Sequence, residues 1–143
     1  MTPPQREWKI GSSTLHFEPP DILWAEFQGM TSLEDAILLV ELYRELSRSG
    51  PFFLVGDMKQ GATIDAEGRC YLSENAPPDW VHGTIYIGAR LAQKALVKGL
   101  MLAAHLAGRA EQSAVAKVHF VSTKAEAYEL VARLRVQHSS RVA

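Results

Sequence analysis

Apolar residues recur along the chain with two different spacings, and these spacings predict strands and helices in a regular order. Alternation of apolar and polar positions predicts three short strands, at residues 8–10, 14–17 and 22–27. A continuous apolar run at 52–55 predicts a strand that is covered on both faces of its sheet. Further strands are predicted at 81–87 and 115–121.

Apolar residues three and four positions apart predict helices at about 32–49, 90–107 and 124–137, and the cap residue Asp65 predicts a fourth at about 65–75. The apolar positions of the first helix are Ala36, Leu39, Val40, Tyr43 and Leu46. Thr31 with Glu34, and Thr123 with Glu126, have the spacing of a capping box. Because helices and strands alternate after residue 27, we predict an α/β fold: a mixed sheet of about five to six strands covered by about four helices.

The segment 52–72 connects the buried strand to the second helix and carries a group of polar residues. Asp57 follows the strand directly, and Lys59 and Thr63 lie in the loop after it. Asp65 is placed to cap the helix, because its side chain can accept hydrogen bonds from the free N–H groups. Glu67 falls in the first turn, where the helix dipole favours a negative charge. Partners of open α/β sheets bind at this edge, so these five residues form the candidate partner-binding surface.

The same segment resembles the signature of STAS domains, the fold of anti-sigma-factor antagonists. The signature has Asp-Leu-Ser, a loop, an apolar residue followed by Asp-Ser-Ser-Gly, and a downstream leucine. This chain has Asp-Met-Lys at 57–59, Ile-Asp-Ala-Glu-Gly at 64–68, and Leu72. The resemblance implies a STAS-like (SpoIIAA-like, STAS/SEC14) fold and a protein-interaction role in bacterial signalling or transcriptional regulation, with a kinase-type regulator as the partner.

The chain departs from the STAS pattern at the residue that acts as a switch. In the family, a partner kinase phosphorylates a serine at the start of this helix. Glu67 stands in the place of that serine, and Ala66 stands in the place of the serine before it. A carboxylate has one negative charge where a phosphate group has about 1.5 to 2, and it lacks the three phosphate oxygens. We therefore expect no phosphorylation switch here, and partner binding that is constitutive or controlled by another input.

The third predicted helix is apolar around most of its circumference, although a surface helix normally has a broad polar side. We assign its core face to Leu91, Ala95, Leu102 and Leu106, and its narrow polar stripe to Lys94, Lys98 and His105. Exposed apolar area of this kind marks an interface. A neighbouring element of the chain or a second copy covers it, or it is a docking surface for a partner helix, a lipid or another apolar ligand. The candidate residues for such a surface are Lys94, Val97, Lys98 and Met101.

Composition limits the remaining possibilities. The chain has 143 residues, of which 47% are hydrophobic, and its net charge is −1. The length predicts a single domain over 1–143. We expect flexible ends at 1–7 and at 138–143, where the tail is polar. The net charge argues against nucleic-acid binding, which needs a basic surface. A single cysteine, Cys70, excludes an internal disulfide. Without a signal peptide or an apolar run of about 20 residues, the expected location is the cytoplasm.

Sequence motifs for catalysis are weak. The five histidines are scattered, and none has the i, i+4 spacing of a zinc-binding helix. Asp57 and Asp65 would supply only part of the octahedral shell that Mg²⁺ requires. We therefore expect no catalytic residue, no metal and no cofactor, and predict a non-enzymatic domain that binds a protein partner. Lipid or apolar-ligand binding is the alternative, homodimerisation stays open, and an enzyme that uses these acids is a third hypothesis.

Overall fold

The computed structural model describes residues 6–95, 98 and 117–142, and for residues 6, 78 and 138–142 it describes the backbone alone. Its strands are β1 (Arg6–Ile10), β2 (Ser13–Glu18), β3 (Ile22–Glu26), β4 (Met30–Thr31), β5 (Phe52–Asp57), β6 (Thr63–Ile64), β7 (Val81–Ile87) and β8 (Val118–Val121). Its helices are α1 (Leu33–Ser47), α2 (Ala66–Asn75), α3, described at 91–95 and 98, and α4 (Lys124–Val142). A short 3-10 helix at Pro78–Trp80 precedes β7.

The main sheet has six strands in the order β1-β2-β3-β5-β7-β8, and β4 with β6 forms a small second sheet. Strands β1, β2 and β3 are antiparallel neighbours, whereas β3, β5, β7 and β8 run parallel. This architecture confirms the predicted α/β fold with a mixed sheet. Because the parallel strands share one direction, the loops after β3, β5, β7 and β8 all leave from the C-terminal edge of the sheet, where these strands end.

Apolar side chains on the two faces of the sheet form two separate core layers. One layer joins Leu23, Ala25 and Leu54 of the sheet to α1. The other joins Ile22, Trp24, Phe53, Val55, Ile85 and Ile87 to Ala127 and Val131 of α4. Strand β5 therefore contributes alternate residues to both layers, which explains why residues 52–55 are all apolar and confirms that this strand is covered on both faces.

The capping box of α1 lies one residue later than the sequence pattern suggested. The residues that form it are Ser32 and Asp35, and not Thr31 and Glu34. Thr31 belongs to β4, where its carbonyl accepts a hydrogen bond from the N–H of Asp65. The chain is therefore still extended at Thr31, and the helix starts only after Ser32.

The predicted core face of α3 is wrong for the two of its members that the structure describes. Leu91 is 84% exposed and Ala95 is also exposed, whereas Gln93 is buried. The Gln93 side chain turns inwards because it makes three hydrogen bonds with backbone groups around it. Leu102, Leu106 and His105 lie outside the described residues, as do Val97, Met101 and positions 115–116 of the last predicted strand.

At the start of α4, one of the two hydrogen bonds of the predicted capping box is present. Thr123 Oγ1 accepts a hydrogen bond from the N–H of Glu126, as expected. The Glu126 carboxylate accepts from the N–H of Ser122 instead of that of Thr123, at 3.4 Å. The helix continues to Val142 and so includes most of the segment that we expected to be flexible.

Candidate functional site

Asp57 lies at the end of β5, where hydrogen bonds on both sides hold the main chain in place. The carbonyl of Asp57 accepts from the N–H of Phe27 after β3, and the N–H of Met58 donates to the carbonyl of Ile87 in β7. The Asp57 carboxylate accepts from the N–H of Lys59 at 2.9 Å, and the Lys59 ammonium lies 3.7 Å from it. Since the Lys59 side chain is exposed, this ion pair contributes little to stability and both charges stay accessible to a partner.

The loop after Asp57 is held by Gln93 of α3, a residue that sequence analysis did not single out. Gln93 Nε2 donates to the carbonyls of Met58 and Ala62, at 3.2 and 2.9 Å. Its Oε1 accepts from the N–H of Arg90 at 2.8 Å, at the start of the helix. A glutamine three residues after the start of a helix is the second half of a capping box, and that signal could have identified it.

Thr63 lies in the two-residue strand β6, which pairs in parallel with β4. Its N–H donates to the carbonyl of Gly29 at 3.0 Å, while its side chain is exposed. The N–H of Asp65 donates to the carbonyl of Thr31 at 3.1 Å. These bonds attach the β5–α2 loop to the β3–α1 loop, a contact between distant segments that the sequence did not predict.

Asp65 is the N-cap of α2, and Glu67 lies in the first turn, as predicted. The Asp65 carboxylate accepts from the N–H of Gly68 at 2.6 Å, and the Glu67 side chain is exposed. Gly68 is buried, and a Cβ atom there would lie 3.3 Å from the carbonyl oxygen of Ser32. The absence of a side chain at Gly68 therefore permits close approach of α2 to the backbone at the start of α1.

The structure therefore brings the five candidate residues to one edge of the molecule as two pairs and an exposed threonine. We call this set of residues the rim surface: Asp57, Lys59, Thr63, Asp65 and Glu67. Asp57 pairs with Lys59, and Asp65 shares the first turn of α2 with Glu67. Within the described part of the chain, no hydrogen bond or ion pair connects the first pair directly to the second.

Metal-binding groups and the cysteine add little to this site. In the described ranges, no group of three or more histidine, cysteine, aspartate or glutamate side chains could hold a metal ion. Cys70 is exposed on α2, and its thiol donates a hydrogen bond to the Glu74 carboxylate at 3.4 Å. Neither observation adds a reactive group to the rim surface.

The second candidate surface is described only in part. Lys94 and Lys98 both place their ammonium groups over the ring of Phe120 in β8, at 5.6 and 5.8 Å from its centre. Phe120 also stacks on Tyr86 of β7. The exposed Leu91 lies on the same helix. The two lysines are therefore brought together beside β8, the outermost strand on this side of the sheet in the part of the chain that the structure describes.

A titratable group on the opposite face of the sheet has a shifted pKa. Burial lowers the pKa of His119 below 6.5, and the nearby positive charge of Arg133 lowers it further. His119 pairs in register with Ile85, which belongs to the core layer beneath α4. The neutral imidazole is therefore the form that the folded protein favours.

Comparisons with known proteins give no family assignment. No protein-family model matches the chain, and no curated protein shows a significant match to it. Among the described residues, no helix has both the length and the apolar character that are needed to cross a membrane.

Proposed function

We propose that this chain is a non-enzymatic, STAS-like interaction domain of bacterial signalling or transcriptional regulation, which acts in the cytoplasm and docks a protein partner through the rim surface. The observation that carries the proposal is the exposed carboxylate of Glu67 on the first turn of α2. By the resemblance to STAS domains, this is the place of the phosphorylated serine. A kinase-type regulator is accordingly the partner class that we propose.

The backbone of the rim surface supports this role because it is fixed from several sides. Gln93 holds the loop carbonyls of Met58 and Ala62, and β4 holds β6. Loops with fixed backbones and exposed side chains lose little conformational entropy when a partner binds. The exposed side chains of Lys59, Thr63 and Glu67 are thus presented on a preorganised frame.

The charge of the rim surface indicates the kind of partner surface that would fit it. Carboxylates of Asp57, Asp65 and Glu67 outnumber the single ammonium of Lys59. A partner with a complementary basic patch would associate faster and in a defined orientation. Because position 67 has no hydroxyl, the negative charge is permanent, and binding to that patch would not require a kinase reaction at this residue.

An affinity capture from extract of the native cell tests the proposal. The parent chain is compared with Glu67→Lys, Glu67→Ser and the control Glu41→Lys, which makes the same charge change on the exposed side of α1. We expect Glu67→Lys to lose the partner, Glu67→Ser to weaken it, and Glu41→Lys to retain it. Unchanged capture by both Glu67 variants would contradict the role of the rim surface.

A second candidate function is binding of a lipid or another apolar ligand at α3. The exposure of Leu91 beside two lysine side chains favours it, because exposed apolar area next to cationic groups suits a membrane surface or a lipid headgroup. Native mass spectrometry of the purified chain would show a copurifying lipid if this function is correct. A clean protein mass, with no binding to vesicles that contain anionic lipid, would contradict it.

A further inference from the structure

Strand β1 is an outer strand of the main sheet, and its only strand partner in the described part of the chain is β2. Residues Ile10 and Ser13 pair across the two-residue turn formed by Gly11 and Ser12. A two-residue hairpin turn is flanked by a hydrogen-bonded pair, and such pairs alternate along an antiparallel ladder. Ile10 and Trp8 therefore direct their backbone groups towards β2.

The same alternation directs the backbone N–H and C=O groups of Glu7 and Lys9 away from β2, to the outer edge of the sheet. Their side chains are exposed. Both project from the same face, since residues two apart in a strand share a face. The outer edge of β1 thus offers four backbone hydrogen-bonding groups flanked by one negative and one positive side chain.

The opposite charges of Glu7 and Lys9 make β1 complementary to a second copy of itself. If a second copy of β1 pairs with the first in antiparallel orientation about Trp8, Glu7 stands opposite Lys9 of the second copy, and Lys9 stands opposite Glu7. The outward backbone groups of each residue then meet the outward groups of its opposite number, so the register satisfies the hydrogen bonds and the charges together. Opposite charges directly across an antiparallel pair are stabilising, and like charges are destabilising.

We propose that β1 is a self-association edge, and that two copies of this chain pair β1 with β1 in this register to form one continuous sheet. The dimer is independent of the rim surface, which lies at the ends of the parallel strands. It also differs from a dimer formed through α3. Because the paired edge is short, we expect a weak dimer with a Kd on the order of 10 µM.

Sedimentation equilibrium of the full chain, from about 1 µM to about 1 mM, tests the proposal. Glu7→Lys and Lys9→Glu each place two pairs of like charges opposite each other, so each should raise the Kd at least about tenfold. Mixing these two single variants should form a heterodimer that is tighter than either homodimer. The double variant Glu7→Lys/Lys9→Glu should restore the parent Kd, and Glu41→Lys should leave it unchanged.

A proline variant checks the backbone part of the proposal. Lys9→Pro removes an outward N–H without removing a bond of the β1–β2 ladder, a position where edge strands accept proline. We expect a folded monomer with near-parent thermal stability at low concentration. A parent chain that stays monomeric at about 1 mM would overturn the proposal. An unchanged Kd in both Glu7→Lys and Lys9→Pro would overturn it as well. So would a failure of the double variant Glu7→Lys/Lys9→Glu to recover dimerisation.

Discussion

Helices α1 and α2 start at the same edge of the sheet and both have side-chain caps, but they differ in what holds them. Helix α1 buries Ala36, Leu39, Val40, Leu42, Tyr43 and Leu46, whereas the only buried residue of α2 is Gly68. The core therefore fixes α1 along its length. Helix α2 is held at its first turn by Asp65, Gly68 and the β4–β6 pairing, and it packs on α1 with side chains such as Leu72 that are only half-buried. Two of the five residues of the rim surface, Asp65 and Glu67, therefore belong to the start of the helix that the core constrains less.

The largest expected difference between the two helices is the loss of unfolding free energy when a leucine in each is replaced by alanine. Leu39 is buried against the sheet, so Leu39→Ala should reduce the free energy of unfolding by about 2–5 kcal/mol. Leu72 is only half-buried, so Leu72→Ala should cost about 1 kcal/mol. Urea unfolding monitored by circular dichroism measures both. Equal losses would show that α2 is anchored by apolar burial in the same way as α1.

Removal of the N-cap side chain should reduce the free energy of unfolding by a similar amount in each helix, but it should promote global unfolding in one case and local unfolding in the other. Ser32→Ala and Asp65→Ala should each cost about 1 kcal/mol. Because α1 belongs to the core, Ser32→Ala should lower global stability. Asp65→Ala should instead increase local opening of α2, since the side chains of this helix are half-buried or exposed and their loss exposes little of the core. Hydrogen exchange read by mass spectrometry separates the outcomes, and faster exchange across the whole sheet in Asp65→Ala would contradict the comparison.

Reversal of the charge at position 67 should affect stability less than either cap. Glu67→Lys replaces a favourable charge at the positive end of α2 with an unfavourable one, which should cost about 0.3–1 kcal/mol. The side chain makes no described hydrogen bond, so no buried group is left without a partner. Thermal unfolding at low ionic strength, with Glu41→Lys as the control, measures this cost. A much larger loss would mean that Glu67 is a structural residue of α2.

The stability of the protein should decrease in acid because of His119, which lies on the face of the sheet opposite to α1 and α2. Since the folded protein lowers the pKa of His119, the unfolded chain binds the proton more readily. The stabilisation is thus complete above the ordinary histidine pKa of 6.5 and is lost as the pH falls below it. The Tm of His119→Gln should depend less on pH between about 7 and 5 than that of the parent. Parallel Tm curves for the two proteins would contradict this assignment.

Sequence patterns predicted α1 and β5 well because burial determines their residues. All five predicted apolar positions of α1 are buried, and residues 52–55 form a central strand. Asp65 and Glu67 were also placed correctly at the start of α2, because a helix cap is set by local chemistry. These features depend on neighbours in the chain or on a strong apolar period.

The errors involve contacts between segments that are distant in the chain. Thr31 did not cap α1 because it pairs with β6, more than thirty residues later. Leu91 was assigned to the core, but the hydrogen bonds of Gln93 to the β5–β6 loop turn this start of α3 the other way. Apolar periodicity predicts that a segment is helical. It does not determine which face of the helix is buried when a polar residue such as Gln93 has hydrogen-bond partners in the interior.

The most direct test of the central claim compares partner capture by Glu67→Lys with capture by Glu41→Lys, after both variants are shown to be folded. The claim is that the first turn of α2, and not general surface charge, contacts the partner. We expect Glu67→Lys to lose the captured protein and Glu41→Lys to retain it at the parent level. Equal capture by both variants, or loss in both, would contradict the claim.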